Sequence, residues 1–252
     1  MLLSIIIPVY NEDRLACELI SRVLELKLDD GIGKEVIVVD DGSSDDTAHN
    51  VAEFIAKNRP LDLSLIRHER NRGKGAAVKT GMAAARGDLM IIQDADLEYE
   101  PQDIHEVIRP VLNAETMVCY GSRILKEKAL GRAGICGVFT GKHPDSYFLA
   151  YLGGVSITKW INLLTGAKLT DEPTCYKCFH RNALEGLTID HDDFAWEPEV
   201  TVKLLIRGHN IKEVPISYHP RKRDEGKKIN WKDGVKALWV ALMVAREEYG
   251  KI

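Results

Sequence analysis

The sequence predicts an α/β fold built on a mostly parallel sheet flanked by helices. Three observations predict it. Apolar runs with strand character alternate with segments of helical spacing through the first half of the 252 residues. The strand runs are solidly apolar (Ile5-Ile6-Ile7, Val36-Ile37-Val38-Val39, Met90-Ile91-Ile92), as in a sheet covered on both faces. Polar clusters fall after the strands, on the edge where open α/β sheets bind ligands.

Each element has its own signal. Leu3 to Val9 is a β-rich run closed by Pro8-Val9-Tyr10-Asn11-Glu12. Asp13 to Leu28 places Leu15, Leu19, Ile20, Val23 and Leu24 on one helical stripe. Glu35 to Val39 is a second strand, stopped by Asp40-Asp41-Gly42-Ser43-Ser44, and Asp45, Asp46 and Thr47 then start a helix over Ala48 to Lys57. Leu61 to Arg67 is a third strand. Gly75 to Ala85 is a helix of small residues, able to pack close to a sheet. Leu89 to Gln93 is a fourth strand with Asp94-Ala95-Asp96 at its end, and Gln102 to Asn113 is helical. The second half is less regular. Ala129 to Ser146 is Gly-rich and reads as a long loop. Tyr147 to Leu164, Glu197 to Ile206 and Trp231 to Tyr249 read as helices, and Cys175 to Phe179 and Glu213 to His219 as strands.

Bulk properties narrow the function. A net charge of −4 gives no support for a nucleic-acid partner, so any basic site is local; the clearest is His219-Pro220-Arg221-Lys222-Arg223, followed by Lys227 and Lys228. Five irregularly spaced cysteines argue against a disulfide framework and for a reducing compartment. Cys175 and Cys178 form a C-x-x-C, but no second pair or His cluster completes a zinc site, and the local alternation is that of a strand. The apolar N-terminus is too short for a signal segment and lacks a basic start. No run reaches the ~18 apolar residues of a membrane span. A cytoplasmic protein, or one peripheral on a membrane, is the expectation.

Four constellations carry chemistry. Asp94-Ala95-Asp96 sits where an apolar strand ends. Residues i and i+2 of an extended segment share a side, and two such carboxylates repel unless a cation lies between them or one is protonated. A hard divalent ion suits them, with Glu98 as a third oxygen ligand; the bland alternative is a solvated acidic turn. Asp40-Asp41-Gly42-Ser43 ends another strand and offers carboxylates to a base N–H or a ribose hydroxyl, or else merely caps a helix. Pro8-Val9-Tyr10-Asn11-Glu12 ends the first strand. Asn71-Arg72-Gly73-Lys74-Gly75 opens the small-residue helix, whose amides and cations suit an anion. Neither a Walker A loop nor G-x-G-x-x-G is present.

Taken in order, Ser4 to Glu12, Val38 to Thr47, Asn71 to Gly75 and Gln93 to Tyr99 resemble the family 2 glycosyltransferases, most closely the dolichyl- and polyprenyl-phosphate mannosyl- or glucosyltransferase branch. The resemblance continues through Gly121-Ser122-Arg123, Leu169 to Lys177, Trp196-Glu197-Pro198-Glu199 and Val214 to His219, so it covers nearly the whole chain. It implies a Rossmann-like GT-A fold with a smaller, irregular C-terminal acceptor region. Residues 1–122 form the nucleotide-sugar-binding half and 123–252 the acceptor side of one domain. It implies an inverting, Mg²⁺- or Mn²⁺-dependent hexosyltransferase that moves sugar from a UDP- or GDP-sugar to a polyprenyl phosphate in cell-envelope biogenesis. Pro8, Tyr10, Glu12, Asp40, Asp41 and Lys74 would hold the nucleotide; Asp94 and Asp96, with Glu98, would hold the metal and diphosphate. Arg123 and Arg221 would meet donor diphosphate or acceptor phosphate, with Arg221 to Arg223 as a mobile lid. Asp171 would lie by the acceptor, orienting a phosphate or acting as base toward a hydroxyl. Thr174-Cys175-Tyr176-Lys177 departs from the Gly-Phe-Arg that many relatives carry there.

Alternatives differ in class. A glycosyltransferase acting on a hydroxyl of a cell-surface glycan keeps the donor site. A sugar nucleotidyltransferase needs a Gly-rich N-terminal loop, which Pro8 to Glu12 is not. A non-catalytic nucleotide-binding protein would have no use for Asp94, Asp96, Asp171 and Arg221 together. Tyr147 to Leu164 and Trp231 to Tyr249 carry aromatic stripes suited either to a core or to a bilayer surface, so peripheral membrane contact and a separate membrane-protein partner are further expectations.

Overall fold

A computed structural model describes residues 1–131, 144–220 and 231–251. Among the described residues seven strands form one sheet in the order β3-β2-β1-β4-β6-β5-β7. They are β1 (Leu2–Val9), β2 (Gly33–Asp40), β3 (Leu63–Arg67), β4 (Leu89–Ile92), β5 (Val118–Ser122), β6 (Lys177–His180) and β7 (Ile211–Pro215). The helices are α1 (Ala16–Glu25), α2 (Thr47–Asn58), α3 (Lys74–Ala84), α4 (Ile104–Leu112), α5 (Arg123–Ala129), α6 (Pro144–Thr165), α7 (Trp196–Ile206) and α8 (Trp231–Tyr249).

The apolar runs occupy the centre of the sheet. β1 is paired on both sides by parallel neighbours, with Ile6 opposite Ile37 of β2 and Ile92 of β4. Ile5, Ile6 and Ile7 are fully buried, as strands covered on both faces require. The small residues of α3 do what their size allows. A Cβ on Gly81 would meet Ile6 Cγ2 at 2.3 Å, so only glycine lets the helix lie this close to β1.

Only β6 runs against its neighbours, antiparallel to both β4 and β5. Its insertion joins residues from before and after position 122 in one sheet, so the two halves of the chain are interleaved. It also reverses a delivery. The carboxyl ends of β1, β2, β4, β5 and β7 share one edge with the amino end of β6, which brings residues 171–177 beside Asp94 and Arg123.

Several expectations need revision. Val118–Ser122 and Arg123–Ala129 form a strand and a helix that apolar patterning did not single out. The expected loop of 129–146 falls largely outside the described residues, but its end is helical, because α6 begins at Pro144. The described part of the C-terminal half combines irregular segments at 166–176 and 185–195 with three helices: α6, α7 and α8 enclose a second apolar cluster of Ile161, Ala195, Val202, Val240, Ala241, Val244 and Ala245. Among the described residues no helix is long and apolar enough to cross a membrane.

Candidate active site at the strand tips

The ends of β1 and β2 are laced together. The Asn11 amide donates to Ser43 Oγ at 2.9 Å, the Glu12 amide to Thr47 Oγ1 at 2.8 Å, and the Ser44 amide to Asn11 Oδ1 at 2.9 Å. Pro8 is buried inside β1, while Tyr10 and Glu12 lie half-buried just beyond it. These bonds fix the backbone that carries both side chains.

The two aspartates at the end of β2 have partners within the protein. Asp40 is fully buried; its carboxylate lies 3.4 Å from Arg67 Nε and caps the Ser43 amide. Asp41 accepts the amides of Arg72 and Gly73 at 3.0 and 2.7 Å and contacts His68 Nδ1 at 2.7 Å, whose Nε2 reaches Thr80 Oγ1. The anion that loop 71–75 was expected to bind is thus partly the chain's own. The start of α3 is occupied as well, since the Ala76 amide donates to the Asp192 carbonyl. A strand-end carboxylate takes the nearest buried donors, and here those are amides.

Asp94 and Asp96 follow β4 at the same edge. The Asp94 amide donates to Cys175 Sγ at 3.0 Å, and its carboxylate oxygens lie 2.9 and 3.1 Å from Lys74 Nζ. Lys74 also reaches Glu197 Oε1 at 3.1 Å, so it bridges two acids rather than standing open. Burial pulls its pKa down, but Asp94 and Glu197 outweigh that and hold the ammonium well above its ordinary value. Asp96 is half-buried and accepts the Glu98 amide at 3.1 Å.

Glu98 has a partner of its own. It is buried and accepts the Tyr218 hydroxyl at 2.8 Å. Among the described residues no three His, Cys, Asp or Glu side chains are grouped as metal ligands. The bridge between Tyr99 and Tyr218 draws residue 98 toward the chain after β7, which spacing alone cannot show.

Arg123 and Asp171 meet as a clamp. Nε donates to Oδ2 at 2.8 Å and Nη2 to Oδ1 at 2.7 Å, the Arg123 amide adds a third bond, and Nη2 also reaches the Pro173 carbonyl. The guanidinium lies 5.0 Å from the Tyr218 ring centroid. Burial alone would raise the Asp171 carboxyl, but the adjacent Arg123 guanidinium holds it below its ordinary value. Arg221 lies outside the described residues, as does the basic run after it.

Sequence reasoning gave no role to four charged residues. Glu197, in the first turn of α7, holds Lys74. Lys177, fully buried, donates to the carbonyls of Glu172 and Thr174 and lies 3.9 Å from the Glu172 carboxylate and 4.0 Å from that of Glu197. Glu172 is pushed up to about 7 by burial, with Lys177 opposing. Glu213 fixes the clamp loop by accepting the amides of Thr170 and Asp171. The signals available were a charged residue inside an otherwise apolar run, as Lys177 is between Tyr176 and Cys178, and the place of Glu172 and Glu197 within segments that carry the resemblance.

A mostly parallel sheet with one inserted antiparallel strand and acids at the strand tips defines the class: this is a GT-A-type glycosyltransferase fold. Glucosyl-3-phosphoglycerate synthase from Mycobacterium tuberculosis, solved with Mn²⁺, UDP and phosphoglyceric acid, superposes with a TM-score of 0.67 over 96% of this chain and 78% of that one, at 19% identity. The chain belongs to glycosyl transferase family 2, whose profile matches residues 4–154. Among curated relatives, dodecaprenyl-phosphate galacturonate synthase of Rhizobium johnstonii is 27% identical over 225 residues, which are 89% of this chain and 61% of that protein. Dolichol-phosphate mannosyltransferase of Pyrococcus furiosus is 28% identical over 229 residues, 90% of this chain and 59% of that protein. The chain therefore spans about three fifths of the length of these two relatives.

Proposed function

We propose that this chain transfers a hexose from a nucleoside-diphosphate sugar to the phosphate of a polyprenyl lipid, with inversion at the anomeric carbon. The observation that carries the acceptor class is the state of Asp171. A general base needs a free lone pair and a pKa near working pH. Arg123 takes three of the four lone-pair sites of Asp171 and holds its pKa down, which makes it a poor proton acceptor. A phosphate monoester is already an anionic nucleophile and needs no base, whereas a hydroxyl does. The names of the two curated relatives above agree.

One phosphate oxygen of the acceptor attacks the anomeric carbon as its bond to the donor diphosphate breaks. Positive charge grows on the sugar and negative charge on the leaving nucleoside diphosphate. Lys74 faces the second charge from the β4 edge, and Arg123, with Arg221, would orient the acceptor phosphate. Tyr10, Glu12 and the β1 backbone through Pro8 form the nucleoside wall. A base that reaches Asp40 displaces Arg67, whose side chain is 61% exposed. Asp41 acts through the loop that it pins.

Asp94 and Asp96 suit a cation held by one or two carboxylates and completed by substrate phosphates and water, as Mg²⁺ and Mn²⁺ commonly are, and do not suit an all-protein cage. Bound there, the ion would act as a Lewis acid toward the leaving diphosphate. The Lys74 ammonium on Asp94 places a competing cation at this carboxylate.

The lipid reading extends to α8. Trp231 and Trp239 are 75% and 62% exposed, and Val235 and Met243 lie exposed on the same side, while the opposite side packs on α6 and α7. Aromatic and aliphatic side chains flanked by Lys232 suit the interface of an anionic bilayer, which supports a peripheral protein, with the cytoplasmic face as the proposed location. A separate membrane protein remains a proposed partner.

The test is a screen of UDP- and GDP-hexoses with Mn²⁺, offering a short polyprenyl phosphate and the matching polyprenol side by side. Transfer to the phosphate alone is expected. Transfer to the hydroxyl alone overturns the acceptor assignment.

A further inference from the structure

We propose that Lys74 is a resident counter-ion that competes with the divalent cation for Asp94, and that Glu197 is the seat that keeps its ammonium in place once the metal takes that carboxylate. The inference rests on the metal assignment made for Asp94 above. It goes beyond it by giving roles to Lys74 and Glu197 that set the order and coupling of binding.

Three observations carry it. The ammonium touches both oxygens of Asp94, at 2.9 and 3.1 Å, and Glu197 at 3.1 Å, so passing wholly to Glu197 requires no search. A divalent ion and an ammonium on one carboxylate repel each other, so metal entry must loosen the Lys74–Asp94 contact. Glu197 is fixed to receive the charge. It lies in the first turn of α7, its side chain is 11% exposed, and its other oxygen faces the buried ammonium of Lys177 at 4.0 Å. The Phe194 ring, 5.8 Å from Lys74 Nζ, closes another side.

The lysine cannot drift away with its backbone. It is the first residue of α3, and Gly73 before it sits at φ +104° with its amide on Asp41. A Cβ on Gly73 would meet the Asp192 carbonyl oxygen at 2.5 Å, so the loop bearing Lys74 is held against the 190s segment, two residues before Phe194.

Two consequences follow. Without nucleotide, Lys74 occupies Asp94 and weakens metal binding. With a nucleoside diphosphate present, the donors freed from Asp94 meet an anion, so metal and nucleotide each favour the other. Glu197 is thus a positioning residue that acts through Lys74.

The experiment titrates the full chain with Mn²⁺ and follows the free aquo-ion by electron paramagnetic resonance, alone and with saturating UDP or GDP. Lys74→Met should bind Mn²⁺ alone more tightly, on the order of tenfold, and lose most of the nucleotide enhancement. Glu197→Gln should weaken Mn²⁺ binding, because Lys74 then clings to Asp94 alone, and Glu197→Asp should restore much of it. The double variant should match Lys74→Met, since Glu197 has no other route to the metal. Thermal melts confirm that each variant is folded. If Asp94→Asn abolishes Mn²⁺ binding while the Lys74 and Glu197 variants stay within about twofold of the wild type, the counter-ion role is overturned and the metal assignment stands. If Asp94→Asn changes nothing, the metal assignment falls and takes this inference with it.

Discussion

Replacing Glu172 by glutamine tests the buried charge network behind the site. Glu172 is fully buried, and burial pushes it up to about 7 from an ordinary value of 4.5. The native state therefore holds a proton that the unfolded chain releases between those two values. By linkage, stability is greatest below pH 4.5, declines as pH rises toward 7, and is level above it as far as this group is concerned. At 1.36 kcal/mol per pH unit the full decline is about 3 kcal/mol. Glutamine cannot ionise, yet it keeps an oxygen to accept the Thr201 hydroxyl, which lies 2.8 Å from Glu172 Oε1. The assay is urea unfolding of wild type and Glu172→Gln at pH 4.5, 5.5, 6.5 and 7.5. The wild type should lose about 3 kcal/mol relative to the variant across that range. Parallel curves would refute the argument, since they would mean that Glu172 titrates alike folded and unfolded.

Other consequences can be measured directly. Asp41→Ala leaves the amides of Arg72 and Gly73 and the His68 ring without their acceptor, and should lower unfolding free energy by about 2–3 kcal/mol in denaturant titrations. Arg123→Lys and Asp171→Asn break one bidentate pair, so each should cut kcat/KM for lipid-phosphate transfer by a similar factor, with the double variant little worse than either. A far larger loss in Asp171→Asn would restore its role as a base. Trp231→Ser with Trp239→Ser should abolish co-sedimentation with anionic liposomes carrying polyprenyl phosphate while changing stability by less than about 0.5 kcal/mol.

The core of the fold was legible because burial on two faces leaves a local mark. Ile5-Ile6-Ile7, Val36 to Val39 and Met90-Ile91-Ile92 are apolar throughout for that reason, and the stripe of α1 and the small residues of α3 declare the faces they turn to the sheet. The acid pair after β4 and the ordered motifs were equally plain, since a strand tip and its next few residues are contiguous. β5 left a fainter mark, five residues that include Gly121 and Ser122.

The sequence by itself determined the α/β class, the parallel core and the edge at which the acids gather, because each depends on neighbours along the chain. Which acid meets which base was decided only by the tertiary structure. The antiparallel insertion of β6 between β4 and β5 sets Lys177 beside Glu172 and Glu197, carries Asp171 to Arg123, and lets Cys175 cap Asp94. Lys74 and Glu197 are 123 positions apart, and Glu98 pairs with Tyr218 across 120. A charge on a long side chain is satisfied by whatever the fold brings within about 3 Å, and periodicity carries no record of that.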